Sequence, residues 1–311
     1  MNYIVFDLEW NQSASGKRFV NKKIPFEIIE IGAVKLNRNM KEIDRFNELV
    51  RPKVYKNINK ITGNIVHLDM NQLKNARPFS KVMESFLDFC GKDYVFCTWG
   101  NLDLIELQRN MKFYSMPSLS QKPIKFLDVQ KLFALQFEGE KSQHTLEYAV
   151  DVCGIYKDIP FHRAFADAYY TAKVLKYLKP EYREKYSFDT YVLPKEKKEE
   201  IRILFEDYYK YISRGFESKA KALEDKEVLY SGCYLCKRPV SRKIPWFTNN
   251  NKHYYCVSYC RKHGLIKGKI RLRKAENGKI YVIKTMKQIS EEQKNEIVQK
   301  QDKMKKQAQA D

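Results

Sequence analysis

Residues 3–10 read YIVFDLEW, an apolar run that closes on two acids, Asp7 and Glu9, separated by one residue. Such a run suits a central strand buried on both faces, and the two-residue period of a strand sends both carboxylates to the same side. Residues 27–36 (EIIEIGAVKL) and 46–50 read as two more strands, so the chain opens as a meander. Between the first two strands, residues 11–25 are polar and basic and too long for a tight hairpin turn. Farther on the period changes. Phe79, Val82, Met83, Phe86, Leu87 and Cys90 recur at helical spacing, 94–97 is a strand, 102–111 a helix, and 125–129 a short strand. Residues 145–153 and 164–178 have the spacing of helices packed on a sheet. A meander followed by alternating strands and helices predicts an α/β fold, a mixed five-stranded sheet flanked by helices.

Two further acids stand where this pattern would bring them near the first pair. Asp103 follows the fourth strand in TWGNLDL, near a helix start, and Asp167 sits in HRAFADA, five positions after His162. A carboxylate in a packed interior is costly without a partner, and four together repel and raise one another's pKa. Divalent cations resolve both problems, and oxygen donors are those that Mg²⁺ or Mn²⁺ prefers. Two such ions can hold an attacking water and the leaving oxygen of a phosphodiester on one line.

Asp-x-Glu on the first strand, Asp after the fourth, and His-x4-Asp on a late helix together resemble the DEDDh 3′–5′ exonucleases. These are DnaQ and RNase T-like enzymes of ribonuclease-H-like fold. WG-x-x-D with EIIEIGAV before it is most similar to the branch of the histone-mRNA 3′-end exonuclease and KapD-like proteins. The resemblance covers roughly residues 1 to 180. It implies Asp7, Glu9 and Asp167 as direct ligands of two Mg²⁺ or Mn²⁺ ions, Asp7 bridging them, with Asp103 holding the second mainly through water. It also implies His162 as general base, a role that suits imidazole because it titrates near neutrality. His67 and His144 have no such neighbour and read as structural. Many relatives carry Thr after the first-strand Glu, where this chain has Trp10. Trp10 is open to two readings, stacking on a base or packing into the core.

The chain has 311 residues with 58 Lys and Arg against 38 Asp and Glu, a net +20. Residues 228–289 hold 15 Lys and Arg against the single acid Glu276, so +14 of that charge lies in one segment. One-signed charge of this density points to a polyanion, nucleic acid, rather than to a solvated face. No apolar run is long enough to span a bilayer, and Asp7 and Glu9 interrupt the N-terminal run too early for a signal peptide, so a cytoplasmic address is expected. Cys90, Cys97 and Cys153 read as buried thiols.

The other four cysteines form Cys233-x2-Cys236, nineteen residues, Cys256-x3-Cys260, a spacing for one structural Zn²⁺ that resembles treble-clef zinc modules. His263 competes with Cys260 for the fourth position. Residues 244–248 and 253–256 flank the turn-rich 249–251, and Asn277-Gly278 sits between 269–274 and 279–284, each as in a hairpin. Alternation gathers Lys269, Arg271 and Arg273 on one strand face, as a wall for phosphates. Tyr254, Tyr255 and Trp246 are available for stacking or for the module's core.

The expected organisation is an exonuclease domain over 1–180, a linker and charged helix over 181–227, a basic four-cysteine zinc module over 228–289, and a polar helical tail over 290–311. The helix would begin near Pro194 and bury Ile201, Leu204, Phe205, Tyr208, Ile212 and Phe216 along one stripe. A capping box at Ser290 and Gln293 would open the tail. The expected activity is metal-dependent removal of nucleoside 5′-monophosphates from single-stranded 3′ ends, RNA being favoured by the branch resemblance. A DNA exonuclease and a non-catalytic nucleic-acid-binding protein are the rivals.

Overall fold

The computed structural model describes residues 1–137, 144–205, 207–248 and 250–308. They form two compact units, residues 1–190 and 191–311. In the first, β1 (Asn2–Asn11), β2 (Glu27–Leu36) and β3 (Glu42–Arg51) make the expected antiparallel meander. There follow α1 (Lys60–Val66), α2 (Met70–Lys74), β4 (Arg77–Pro78), α3 (Phe79–Cys90), β5 (Tyr94–Thr98) and α4 (Leu102–Phe113). The unit closes with β6 (Lys125–Asp128), α5 (Val129–Phe137), α6 (Leu146–Val152), α7 (Ala164–Tyr177), α8 (Pro180–Arg183) and β7 (Ser187–Phe188). The sheet order is β4-β3-β2-β1-β5-β6-β7. The five expected strands are its body, and the two-residue β4 and β7 cap its edges.

β1 is central because both of its faces are covered. Ile4, Phe6 and Leu8 pack with Phe79, Phe86, Leu104 and Leu107 of α3 and α4. Val5, on the opposite face, packs with Leu132, Ala149, Tyr170 and Val174 of α5, α6 and α7. Asp7 and Glu9 continue the face of Val5, toward the layer that contains α7. β1, β5 and β6 run parallel, and both Asp7–Glu9 and the turn to α4 lie at their C-terminal ends. That edge is where open α/β sheets bind ligands.

The second unit departs from expectation over 181–227. Residues 181–190 belong to the first unit through β7, which pairs with β6. The charged helix is instead a hairpin, β8 (Ile201–Leu204) and β9 (Tyr208–Ile212), with Phe205 N–H bonded to Tyr208 O at 2.8 Å across the turn. Ile201, Ile203 and Phe205 also fit a period of two, and β-branched and aromatic residues favour the pleated surface once another strand pairs with them. Here β13 (Ile280–Gln288) pairs with β9. Phe216 forms an antiparallel bridge with Ile280, so the segment is part of the module rather than a linker.

The remaining elements are α9 (Lys219–Glu224), α10 (Lys226–Leu229), β10 (Ser241–Thr248), β11 (His253–Cys260), β12 (Gly264–Lys274) and α11 (Glu291–Ala308). With β8, β9 and β13, strands β10 to β12 build an antiparallel sheet of order β10-β11-β12-β13-β9-β8. Residue 249, in the expected turn, and residues 309–311 of the tail lie outside the described residues. The β12–β13 turn has Gly278 at φ +84°. Ser290 Oγ and the Gln293 side chain cap each other's backbone N–H at 3.2 Å. α11 buries Ile297, with Val298 and Met304, against Ile244, Phe247, Val257 and Leu265. No helix among the described residues is long and apolar enough to cross a membrane.

Candidate active site and a Cys–His cluster

Three of the four expected carboxylates converge: Asp7, Glu9 and Asp167 each offer an oxygen within 4.8 Å of the others. Asp7 and Glu9 come from the end of β1, and a register shift between Glu9 and Trp10 marks a bulge that ends regular pairing with β2 there. Asp167 comes from the first turn of α7. Asp103, also in the first turn of its helix, is buried beside them, its carboxylate bonded by its own backbone N–H and that of Leu8. Gly100, at φ +95°, makes the turn between β5 and α4 that delivers it, a conformation side chains with a Cβ disfavour.

The electrostatics of the cluster are those of like charges crowded together. Burial, and then Asp103, Asp167, Glu9 and Glu30, hold the Asp7 carboxyl well above its ordinary range. Glu9 is pushed to about 8 by burial, Asp167 and Glu30, and Asp103 to about 7 by burial against its backbone hydrogen bonds. Asp167 is raised by burial too, relieved by the His162 N–H it accepts at 3.3 Å. His162 lies on the loop before α7 rather than on the helix, exposed and at φ +67°. That left-handed backbone turns its N–H onto Asp167.

Two residues that place α7 carried no role in the sequence reading. Glu30, fully buried on β2 directly across from Glu9, takes a two-pronged ion pair from Arg163 at 2.9 and 2.6 Å. It also accepts the N–H of Ala164 at 3.4 Å, so an anion sits at the helix N-terminus. The available signal was an acid flanked by the apolar Ile28, Ile29 and Ile31, which requires a buried partner. Gly32 faces Asp7 in the register, and a Cβ there would lie 2.0 Å from Phe165 N and 2.2 Å from Ala164 C. Only glycine lets the start of α7 lie on the sheet at this point.

Trp10 packs against the core cluster of β1 and α3, its ring 5.5 Å from that of Phe26, while keeping partial exposure. His144 stacks on Tyr148 with ring centres 4.1 Å apart, and His67 is the left-handed C-cap of α1, both as structural residues.

In the second unit the metal-type cluster is Cys233, Cys236, Cys260 and His263, its ligand atoms all within 4.8 Å of one another. This corrects the expected set: Cys256 is excluded and His263 joins Cys260 rather than replacing it. Cys256 and Cys260 are on one strand, where four residues span about 13 Å, too far for one ion. Cys256 is packed beside Gly268 and Trp246, and burial raises its thiol to about 12. The chain turns back after Cys260 and brings the His263 Nδ1 to 3.7 Å from its sulfur and 3.3 Å from that of Cys233. Burial opposes ionisation of Cys260, but the N–H groups of His263 and Lys262 outweigh it and bring the thiol to about 6. A strand stands where a treble clef would place its short helix, since β12 begins at Gly264.

Comparison with known proteins follows this geometry. The family model described as Exonuclease (RNase_T) matches residues 4–175. DNA polymerase III PolC-type from strains of Streptococcus thermophilus is 25% identical over 173 residues, 56% of this chain and 11% of the polymerase. The chain thus spans only a small part of the length of the curated relatives it matches. Among solved structures, the nuclease domain of 3′hExo, a DEDDh family member bound to rAMP, aligns with a TM-score of 0.51 at 18% identity, covering 60% of this chain and 96% of that one. The 3′-exonuclease in the structure of 3′-end specific recognition of histone mRNA stem-loop aligns at 0.49 and 18%, covering 56% and 62%. At these identities the likeness to 3′hExo shows the fold.

Proposed function

The chain belongs to the RNase_T exonuclease family, and from that premise we propose that it removes nucleoside 5′-monophosphates from the 3′ ends of single-stranded nucleic acid, RNA above DNA. The observation that carries this is the convergence of Asp7, Glu9 and Asp167, with Asp103 buried beside Asp7 and His162 anchored to Asp167. An all-oxygen donor set whose members crowd negative charge into a buried site fits two Mg²⁺ or Mn²⁺ ions. Asp7, Glu9 and Asp167 would hold them directly and Asp103 through water. When bound, the ions would neutralise the phosphodiester and the departing 3′ oxygen.

His162 accepts the proton of the attacking water. Its exposure gives it access to solvent, and its backbone bond to Asp167 fixes the loop that carries it. Glu30 and Arg163 hold α7, and with it Asp167, at the end of β1. His162→Ala should slow hydrolysis by roughly two to four orders of magnitude, the span of a general base, with little change in 3′-end affinity. Single-turnover kinetics beside binding in EDTA separates the two, and weak binding with normal turnover would refute the role. Matched RNA and DNA oligomers, labelled at the 5′ end, decide the substrate. The preference for RNA is supported by the resemblance to the histone-mRNA branch.

The Cys233, Cys236, Cys260 and His263 cluster fits one Zn²⁺, three sulfurs and a nitrogen closing a tetrahedron without a catalytic opening. Its place is structural, joining the loops at Cys233–Cys236 and Cys260–His263. Metal content measured on the purified variants should drop for Cys233→Ser and His263→Ala and stay whole for Cys256→Ser. Loss of metal from Cys256→Ser with full metal retained by His263→Ala would restore the four-cysteine assignment. Lys269, Arg271 and Arg273 supply the nucleic-acid contacts of this unit. Cysteines that form no disulfide among the described residues suit a reducing, cytoplasmic setting.

A further inference from the structure

Carboxylate partners are unevenly placed about the second unit's sheet; on the face of Lys267, Lys287 of β13 has Asp207 at 3.8 Å. On one side, Arg214 pairs with Glu200 and Asp225, and Arg202 with Glu200 and Glu227. On the side where α11 packs, β12 carries Lys267, Lys269, Arg271 and Arg273 at alternate positions. Lys269, Arg271, Arg273 and Lys300 of α11 have no carboxylate partner among the described residues. Burial and then Arg271, Lys267 and Lys300 push the Lys269 ammonium downward. His253, across the strand pair from Arg271, is lowered by burial and then by Arg271, Lys269, Arg273 and Lys252.

This charge is organised around one ring. Tyr255 faces Lys269 across the β11–β12 pair and is partly exposed. The ammonium groups of Lys267, Lys269 and Lys300 stand 5.9, 5.8 and 5.8 Å from its centroid. Tyr255 rests on the cluster of α11 with Phe247 6.0 Å from its ring, whereas Trp246 and Tyr254 belong to the core on the other face, the Trp246 indole bonded to Leu229 O at 2.8 Å. Of the aromatic candidates in the module, Tyr255 is therefore the one placed among cations.

We propose that Tyr255, ringed by Lys267, Lys269 and Lys300 and continued by Arg271 and Arg273, is a subsite for single-stranded nucleic acid, a base stacking on the tyrosine while successive phosphates meet the cations of β12. Alternate residues of a strand are about 6.7 Å apart, comparable to the phosphate-to-phosphate reach of an extended single strand. A base can lie on Tyr255 only when it has left its own stack, which single strands offer freely and duplexes do not. The proposal rests on nucleic acid being the ligand of this chain, and not on hydrolysis. It gives α11 a role beyond packing, since that helix supplies Lys300.

The test is fluorescence anisotropy of the full chain with labelled oligouridylate in EDTA, across a range of salt. Replacing Lys269, Arg271, Arg273 and Lys300 together by Gln should flatten the slope of log affinity against log salt by about 3, four contacts at about 0.7 each. Tyr255→Leu should weaken binding roughly five- to a hundredfold with little change in slope, and Tyr255→Trp should restore it. These four cations pair with no carboxylate among the described residues, so the Gln variant separates binding from folding if the tyrosine variants prove unstable. Unchanged slope and affinity in the Gln variant would overturn the proposal. So would competition by duplex RNA or by anionic phospholipid vesicles as effective as that by single strand. A chain that binds as expected yet hydrolyses nothing when Mn²⁺ is added would sink the nuclease reading alone.

Discussion

Asp7→Asn should abolish hydrolysis, by at least about a thousandfold, while making the metal-free protein more stable. The opposite signs share one cause. Asp7 is the carboxyl on which burial and four other acids bear, so it is where positive charge is most needed and where negative charge costs most without it. The neighbours give the pH window. Glu9 rises from 4.5 to about 8 and Asp103 from 3.8 to about 7 on folding. Between roughly pH 4 and 8 the folded chain therefore holds more protons than the unfolded one, and stability falls as pH rises through that range. The loss is on the order of a few kcal/mol. In EDTA the Tm should fall from pH 5 to pH 8, the fall should be smaller in Asp7→Asn, and Mg²⁺ or Mn²⁺ should reverse it in the native chain only. A Tm that stays flat across this window in EDTA would show that the carboxylates do not strain the fold.

Gly32→Ala should cost at least about a hundredfold in turnover although the residue carries no chemistry. An ordinary contact begins near 3.4 Å, and the added Cβ would be 2.0 Å from Phe165 N, so the start of α7 has to retreat by more than 1 Å. Backbone cannot rotate away as a flexible side chain can. Asp167, two residues on, moves with the helix, and a misplacement of about 1 Å at a reacting centre costs on the order of a hundredfold. Overpacking adds about 1–3 kcal/mol of destabilisation, a fall of several degrees in Tm. Kinetics at a temperature well below the lowered Tm isolates the catalytic part. Turnover within a few-fold of the native chain would mean that α7 is not held by its contact at Gly32.

How much of this was legible follows the range of the forces involved. Residues 3–10 determined a buried strand with Asp7 and Glu9 on one face, because burial of an apolar run and the two-residue period are local. The order of Asp7, Glu9, Asp103 and Asp167 along strand ends and helix starts was likewise readable from spacing. Segment 201–212 fits both a helical and a strand period, and pairing with β13, some seventy residues away, decided it. The spacing of Cys256 and Cys260 allowed a shared ion until the strand between them kept their sulfurs apart, and a turn after Cys260 substituted His263. The Glu30–Arg163 pair and the seat of α7 on Gly32 join positions more than a hundred residues apart. The sequence by itself determined which chemistry the chain carries, since that depends on residue types at short spacing. Only the tertiary structure decided which atoms meet, since a buried charge or a Cβ is tolerated or excluded by neighbours that the chain brings from far away.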